Sequence, residues 1–149
     1  MNKYKKNVGQ ATVEMALVLP LFLFTVIGIF DFGRAMHSWS TLNYQCIQAA
    51  RAATKRIHPL IARDMFTPTT HATIETVDAV FWKFRSPMMA KSNYSTPVFD
   101  GVGVNGAETV VVKASFDFSP ITPLLGSFVG GEGKPGTITL SASAKERKE

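Results

Sequence analysis

The sequence is poor in the residues that build cross-linked, metal-bound or catalytic sites. It has one cysteine among 149 residues, which excludes an internal disulfide and a zinc site made of several cysteines. Its three histidines form no pair at metal-ligand spacing, and no G-x-S-x-G nucleophile motif is present. We therefore expect a protein that is not an enzyme and that needs no cofactor or metal.

The excess of positive over negative charge is concentrated at one end of the chain. Lysine and arginine total 16 against 11 aspartates and glutamates, a formal net charge of +5. Lys3, Lys5 and Lys6 supply much of this excess before the first acidic residue, and the remainder of the chain is close to neutral. This distribution does not indicate a basic nucleic-acid-binding surface, so we expect no nucleic-acid partner.

Charged residues are nearly absent from Ala11 to Phe30, where Glu14 is the one ionisable side chain. Twenty residues in a helix rise about 30 Å, the thickness of the bilayer hydrocarbon. The lysines lie before this run, so the positive-inside rule places the N-terminus in the cytoplasm. We predict a single-pass membrane protein, with its membrane part at about residues 11–31 and an outer domain beyond it.

Glu14 is the anomaly of this segment, because a carboxylate in an apolar helix is costly without a partner. Cleavage between Gly9 and Gln10 would create an α-amino group four residues before Glu14, on the same helical face. Pairing with that amine, or with the amine of a neighbouring subunit, would offset the desolvation of both charges. The alternative is that Glu14 simply reaches the lipid headgroups.

The basic leader, Gly9 and Glu14 together resemble a type IV prepilin signal, in which four residues separate the glycine from the glutamate. Residues 9–35, GQATVEMALVLPLFLFTVIGIFDFGRA, resemble the N-terminus of the TadE-like pseudopilins of the tight-adherence (Tad/Flp) pilus system. Two later stretches, SPITPLLGSFVGG and TITLSASAKER, resemble the tail of that family more loosely. Most type IV pilins have Phe where Gln10 stands, so N-methylation of the new N-terminus is left open.

The resemblance implies a minor pilin that takes part in pilus assembly without catalysing a reaction. It implies that a prepilin peptidase removes residues 1–9, and that Glu14 serves assembly. It also implies as partners a major pilin, other pseudopilins, the inner-membrane assembly platform with its ATPase motor, and membrane lipid. Two alternatives remain: an uncut signal-anchored envelope protein with a periplasmic binding domain, and a minor pseudopilin of a type II secretion machine.

The first helix is expected to continue beyond the membrane. Apolar residues recur every three or four positions, which is typical of an amphipathic helix: Phe32, Met36, Trp39, Leu42, Cys46, Ala49 or Ala50, Ala53 and Ile57. This stripe makes Cys46 a small buried hydrophobe. Because His58 precedes a proline, the helix should end near Ile57 and span residues 10–57.

Pro20 lies inside the predicted membrane helix. It lacks an N–H and crowds the preceding turn, so we expect a kink or local melting there. Such a break would permit close helix packing in a filament. The alternative is that Pro20 is simply tolerated, as proline often is in transmembrane helices.

The remainder, residues 58–149, is predicted to be an outer α+β domain. The apolar spacing in 69–85 predicts a second helix at about 70–85, capped by Thr69 or Thr70. Strict alternation in Glu108–Phe118 and Thr137–Ala144 predicts two strands.

These strands should pair as an antiparallel hairpin packed against the upper part of the first helix. A hairpin alone is marginal, so a third strand is expected within 94–104. The connection 119–136 is apolar in its first half, and would fold back on the core, meet the membrane surface or dock on a partner. The predicted fold is therefore α+β and type IV pilin-like: a long N-terminal transmembrane and amphipathic helix, a small antiparallel β-sheet and a second helix.

Overall fold

The computed structural model describes residues 7–54, 72–104, 108–122 and 136–147, with side chains from Gly9 onward. In chain order the elements are α1 (Asn7–Thr54), α2 (Ile74–Lys83), one 3₁₀ turn (Lys91–Asn93), β1 (Val98–Asp100), β2 (Thr109–Phe118) and β3 (Ile138–Arg147). The strands form one antiparallel sheet in the order β1-β2-β3. The predicted α+β arrangement is confirmed.

Helix α1 is a single rod of 48 residues, about 70 Å long. It begins at Asn7, inside the predicted leader, and the end predicted near Ile57 lies outside the described residues. It runs through Pro20 without a break, so the local melting considered for that position is absent. One proline removes one backbone hydrogen bond, and the long helical segments on both sides hold the chain helical across the gap.

Most of the apolar part of α1 extends away from the outer domain. Among the described residues, α1 is the one helix that is long and apolar enough to cross a membrane, and its most apolar window is entirely unburied. A helix that is apolar on every side needs an apolar surrounding. Its length, composition and exposure fit a single-pass membrane anchor.

The C-terminal half of α1 packs on the outer domain, but on a face that differs in part from the predicted one. Leu42, Cys46 and the alanines near the end of the helix are buried as predicted. The lower part of the prediction is wrong: Phe32, Met36 and Trp39 are exposed, and the polar residues Asp31, Ser38 and Gln45 are buried instead. Apolar spacing predicted the wrong face for this part of α1, because Asp31 and Gln45 are held inside the domain by specific hydrogen bonds.

The sheet confirms the predicted hairpin and the predicted third strand. In β2 the alternate residues Val110, Val112, Ala114, Phe116 and Phe118 are all buried, and Phe116 lies opposite Leu140 of β3. Strand β3 continues to Arg147, three residues past its predicted end, because its pairing with β2 extends to Thr109. Strand β1 falls within 94–104 and is only three residues long.

Helix α2 begins at Ile74 and ends at Lys83, inside the predicted range of 70–85. The predicted caps Thr69 and Thr70 lie outside the described residues, and Thr73 occupies the cap position without a side-chain cap hydrogen bond. Phe81 is fully buried and meets the rings of Trp82, Tyr94 and Phe99 edge to face at 5.2, 6.1 and 6.3 Å.

A buried polar link joins α2 to α1 beside these rings. The Gln45 side chain donates to the Phe81 carbonyl at 3.0 Å and accepts from the Tyr94 hydroxyl at 2.9 Å. Both polar atoms of a fully buried amide are therefore satisfied. The ring cluster and the link together fix α2 against α1.

Replacement of the central ring tests this packing. We expect Phe81→Ala to lower the free energy of unfolding by roughly 3–5 kcal/mol, because it leaves a cavity between α2, the sheet and α1. Ile74→Ala on the same helix, where Ile74 is 55% exposed, should change it by less than about 0.5 kcal/mol. Denaturant titration of the purified chain in detergent, followed by tryptophan fluorescence, measures both; equal effects would show that the cluster is not the core.

Candidate functional site

The predicted processing residues lie together on the first turns of α1. Gln10 donates from its side-chain amide to a carboxylate oxygen of Glu14 at 3.2 Å, and both side chains are exposed. The two residues are four apart, so the shared face predicted from the sequence is present. In the described part of the chain, the salt bridges involve Asp31 and Glu146, not Glu14.

Gly9 has no structural reason to be glycine within this fold. A Cβ added there would meet no atom within 4 Å, and the residue is helical. A glycine in a helix is destabilising relative to alanine by up to about 1 kcal/mol. Among the described residues, no contact at this position requires a glycine, and the same is true of Gly28 and Gly33.

A second acidic residue, Asp31, terminates the apolar run and is 2% exposed. Its first carboxylate oxygen accepts from the Ile121 backbone N–H at 2.9 Å and from Arg34 at 3.2 Å. Its second accepts from the Thr122 backbone N–H at 2.8 Å and from the Thr122 hydroxyl at 2.5 Å. Two successive N–H groups with a hydroxyl and a guanidinium fully satisfy the carboxylate.

This cluster fastens the segment after β2 to α1, at the point where the helix leaves its apolar run. Phe118 ends β2, and its ring lies 5.3 Å from the Arg34 guanidinium carbon. We call Asp31, Arg34 and Ile121–Thr122 the Asp31 clip. The clip joins residues about 90 positions apart. It therefore holds the chain that follows β2 at the level of Asp31 on α1.

The clip was not predicted from the sequence, where Asp31 and Arg34 were given no role. A signal was present nevertheless. Two segments that resemble the TadE-like family contribute to the clip: the D-x-G-R end of residues 9–35 and the start of SPITPLLGSFVGG. A resemblance to one family in two segments so far apart in the chain could have suggested that they lie together.

Cys46 is buried on the sheet-facing side of α1, as the sequence predicted. Its thiol donates weakly to the Ala142 carbonyl at 3.7 Å, and burial raises the pKa of the Cys46 thiol to about 11. A thiol with such a pKa has little thiolate at neutral pH and is a poor nucleophile. Across the described ranges, no three His, Cys, Asp or Glu side chains are grouped so that they could hold a metal ion.

Comparison with known proteins gives a match in the N-terminal helix. Residues 9–54 match the family described as TadE-like protein. This part of the chain is similar to that family. The match covers about a third of the chain, from the glycine of the predicted cleavage site to the last residue of α1. No curated protein and no solved structure matches this chain.

The match is consistent with a pilin-like protein of a Tad pilus system. Residues of the outer domain lie outside the matched range, and the Asp31 clip connects them to it.

The clip makes a prediction about local stability. Asp31→Asn replaces one accepting oxygen by an amide donor that faces a backbone N–H, so we expect a loss of roughly 1.5–3 kcal/mol. Hydrogen exchange at the Ile121 and Thr122 amides should become faster than in the unaltered chain. Asp100→Asn, at an exposed carboxylate of β1, is the control. Unchanged protection of both amides in Asp31→Asn would contradict the clip.

Proposed function

We propose that the protein is a non-enzymatic minor pilin, or pseudopilin, of a Tad/Flp-type pilus. A prepilin peptidase cuts it between Gly9 and Gln10, and the mature chain then takes part in pilus assembly. Its partners are the major pilin, sister pseudopilins and the inner-membrane assembly platform. The N-terminus lies in the cytoplasm and the domain after α1 lies in the periplasm.

The observation that carries this proposal is the coincidence of three features at the start of α1. The family match begins at Gly9 itself. That glycine costs helix stability and makes no contact that requires it. Glu14 lies one helical turn after the proposed new N-terminus and is bound there only by the neutral amide of Gln10, among the contacts the structure describes.

The chemistry after cleavage follows from this geometry. Hydrolysis of the Gly9–Gln10 bond leaves an ammonium group on Gln10, four residues from the Glu14 carboxylate. In the low dielectric near the membrane, the pairing of the two charges is stronger than the existing hydrogen bond to a neutral amide. The pair forms within one chain or between neighbouring subunits, and in the second case it favours insertion next to another pilin.

Pro20 has a separate role in this proposal. It removes one backbone hydrogen bond six residues after Glu14, within an otherwise continuous helix. Such a position is where the helix bends most easily when other helices pack against it. We assign Pro20 to assembly on this basis.

Replacement of Gly9 tests the cleavage. Gly9→Leu should block removal of the leader, because the peptidase requires a small residue before the cut, while the open space around Gly9 keeps the helix intact. Mass spectrometry of the protein from cells with and without a prepilin peptidase measures the N-terminus. The expected mature chain starts at Gln10 only when both the peptidase and Gly9 are present.

Gly28→Leu is the matched control, since Gly28 is another α1 glycine with open space around it, and it should be cut normally. A chain that starts at Met1 in cells containing the peptidase would favour the signal-anchored alternative. A cut chain that crosslinks to type II secretion subunits instead of Flp-type pilins would favour the second alternative, a minor pseudopilin of a type II secretion machine.

Replacement of Glu14 tests the charge pair separately from cleavage. Glu14→Ala should leave cutting largely intact and reduce the amount of protein incorporated into sheared pili, because the new amine has no carboxylate partner. Glu14→Gln keeps a hydrogen-bonding side chain without the charge and should fail in the same way. Val13→Ala, at the neighbouring exposed position, is the control; normal pili with Gln at position 14 would refute the charge pair.

A further inference from the structure

The base of the outer domain overlaps the apolar run of α1 instead of standing above it. Phe118, Pro120 and Ile138 line a groove of about 430 Å³ together with Thr25 and Gly28 of the helix. Thr25 precedes the clipped Asp31 by six positions, which is about 9 Å along a helix. This part of the domain therefore lies beside helix residues that belong to the membrane-spanning run.

The surface at this level is apolar. Met88 is 75% exposed and Ile121 is 65% exposed, although the Ile121 backbone is held by the clip. A second groove of about 440 Å³ runs between Ile29 and Phe30 of α1 and Met88 of the outer domain. Exposed apolar side chains of this size, next to two apolar grooves, are typical of a surface that meets lipid or another protein.

A cation and a polar ring lie at the upper end of the second groove. Arg34 and His37 line it one and two turns after Phe30, and the Arg34 side chain is 40% exposed even though it pairs with Asp31. Apolar side chains below and a cation above match the order of acyl chains and phosphates in a bilayer leaflet.

We propose that the base of the outer domain is inserted at the boundary between lipid headgroups and acyl chains, with lipid acyl chains in the two grooves. Lipid is the occupant because the grooves share Ile29, Phe30 and Gly28 with the membrane anchor, so lipid already surrounds these residues. The first groove reaches Thr25, about 9 Å below Asp31 along the helix. This distance agrees with the roughly 5–10 Å to which interfacial apolar faces are buried. The inference depends on the single-pass anchor, and not on cleavage or on a role in a pilus.

Fluorescent labels at the base of the domain test this insertion. Met88→Cys and Ile121→Cys, each carrying an environment-sensitive nitrobenzoxadiazole label, are reconstituted as full chains in phosphatidylcholine–phosphatidylglycerol vesicles. Both labels should emit at shorter wavelength than in water, be quenched by lipids with a nitroxide on the acyl chain, and be protected from aqueous iodide. The unaltered chain, whose Cys46 is buried, gives the background labelling.

Val98→Cys is the matched control, because Val98 is a 56% exposed aliphatic residue of β1. It pairs with Lys113, five residues before the end of β2, or about 16 Å from the base along the strand. Its label should be quenched by iodide and not by nitroxide lipids. The proposal is overturned if the labels at 88 and 121 behave like the label at 98. It is also overturned if they are protected without lipid quenching and only at high protein density, which would identify a second copy as the occupant.

Discussion

The position of the outer domain depends on one buried carboxylate. Asp31 stands where the apolar run of α1 ends, is 2% exposed, and accepts four hydrogen bonds, three of them from Ile121 and Thr122. A charge at this burial is tolerated only with full hydrogen bonding, so the chain after β2 has to return to this point of the helix. The end of β2, the start of β3 and the level of the domain along α1 are then determined together.

Glu14 and Asp31, the acidic residues near the two ends of the apolar run, differ in their hydrogen-bond partners. Asp31 has all of its partners within the chain, whereas the described partner of Glu14 is a neutral amide four residues away. Asp31 therefore explains how the protein is held together, and the proposed function explains Glu14 through a charge that arises on processing or comes from another subunit. In the proposed function, the same helix carries a structural acid where it leaves the membrane and an assembly acid where it enters it.

Much of the fold was predictable from local patterns, since those patterns have direct physical causes. The alternation from Val110 to Phe118 marked the buried face of β2, and the apolar length of α1 marked the anchor. The family resemblance of residues 9–35 was likewise confirmed by the match to residues 9–54.

Prediction failed where long-range polar contacts decide which residues are buried: Asp31 and Gln45 are buried because Thr122 and Phe81 bind them. Phe32, Met36 and Trp39 are exposed because the outer domain covers the neighbouring face of α1, where Asp31 and Gln45 lie. Apolar spacing identifies an apolar face of a helix, but it does not identify which part of the protein covers that face.

A double-mutant cycle between Asp31 and Thr122 tests the central claim most directly. The free energy of unfolding is measured by denaturant titration in detergent for the unaltered chain, Asp31→Asn, Thr122→Val and the double variant. If the carboxylate holds the outer domain through Thr122, the two substitutions are coupled by about 0.5–3 kcal/mol. Effects that add within about 0.5 kcal/mol would show that the two side chains act independently, and would contradict the account.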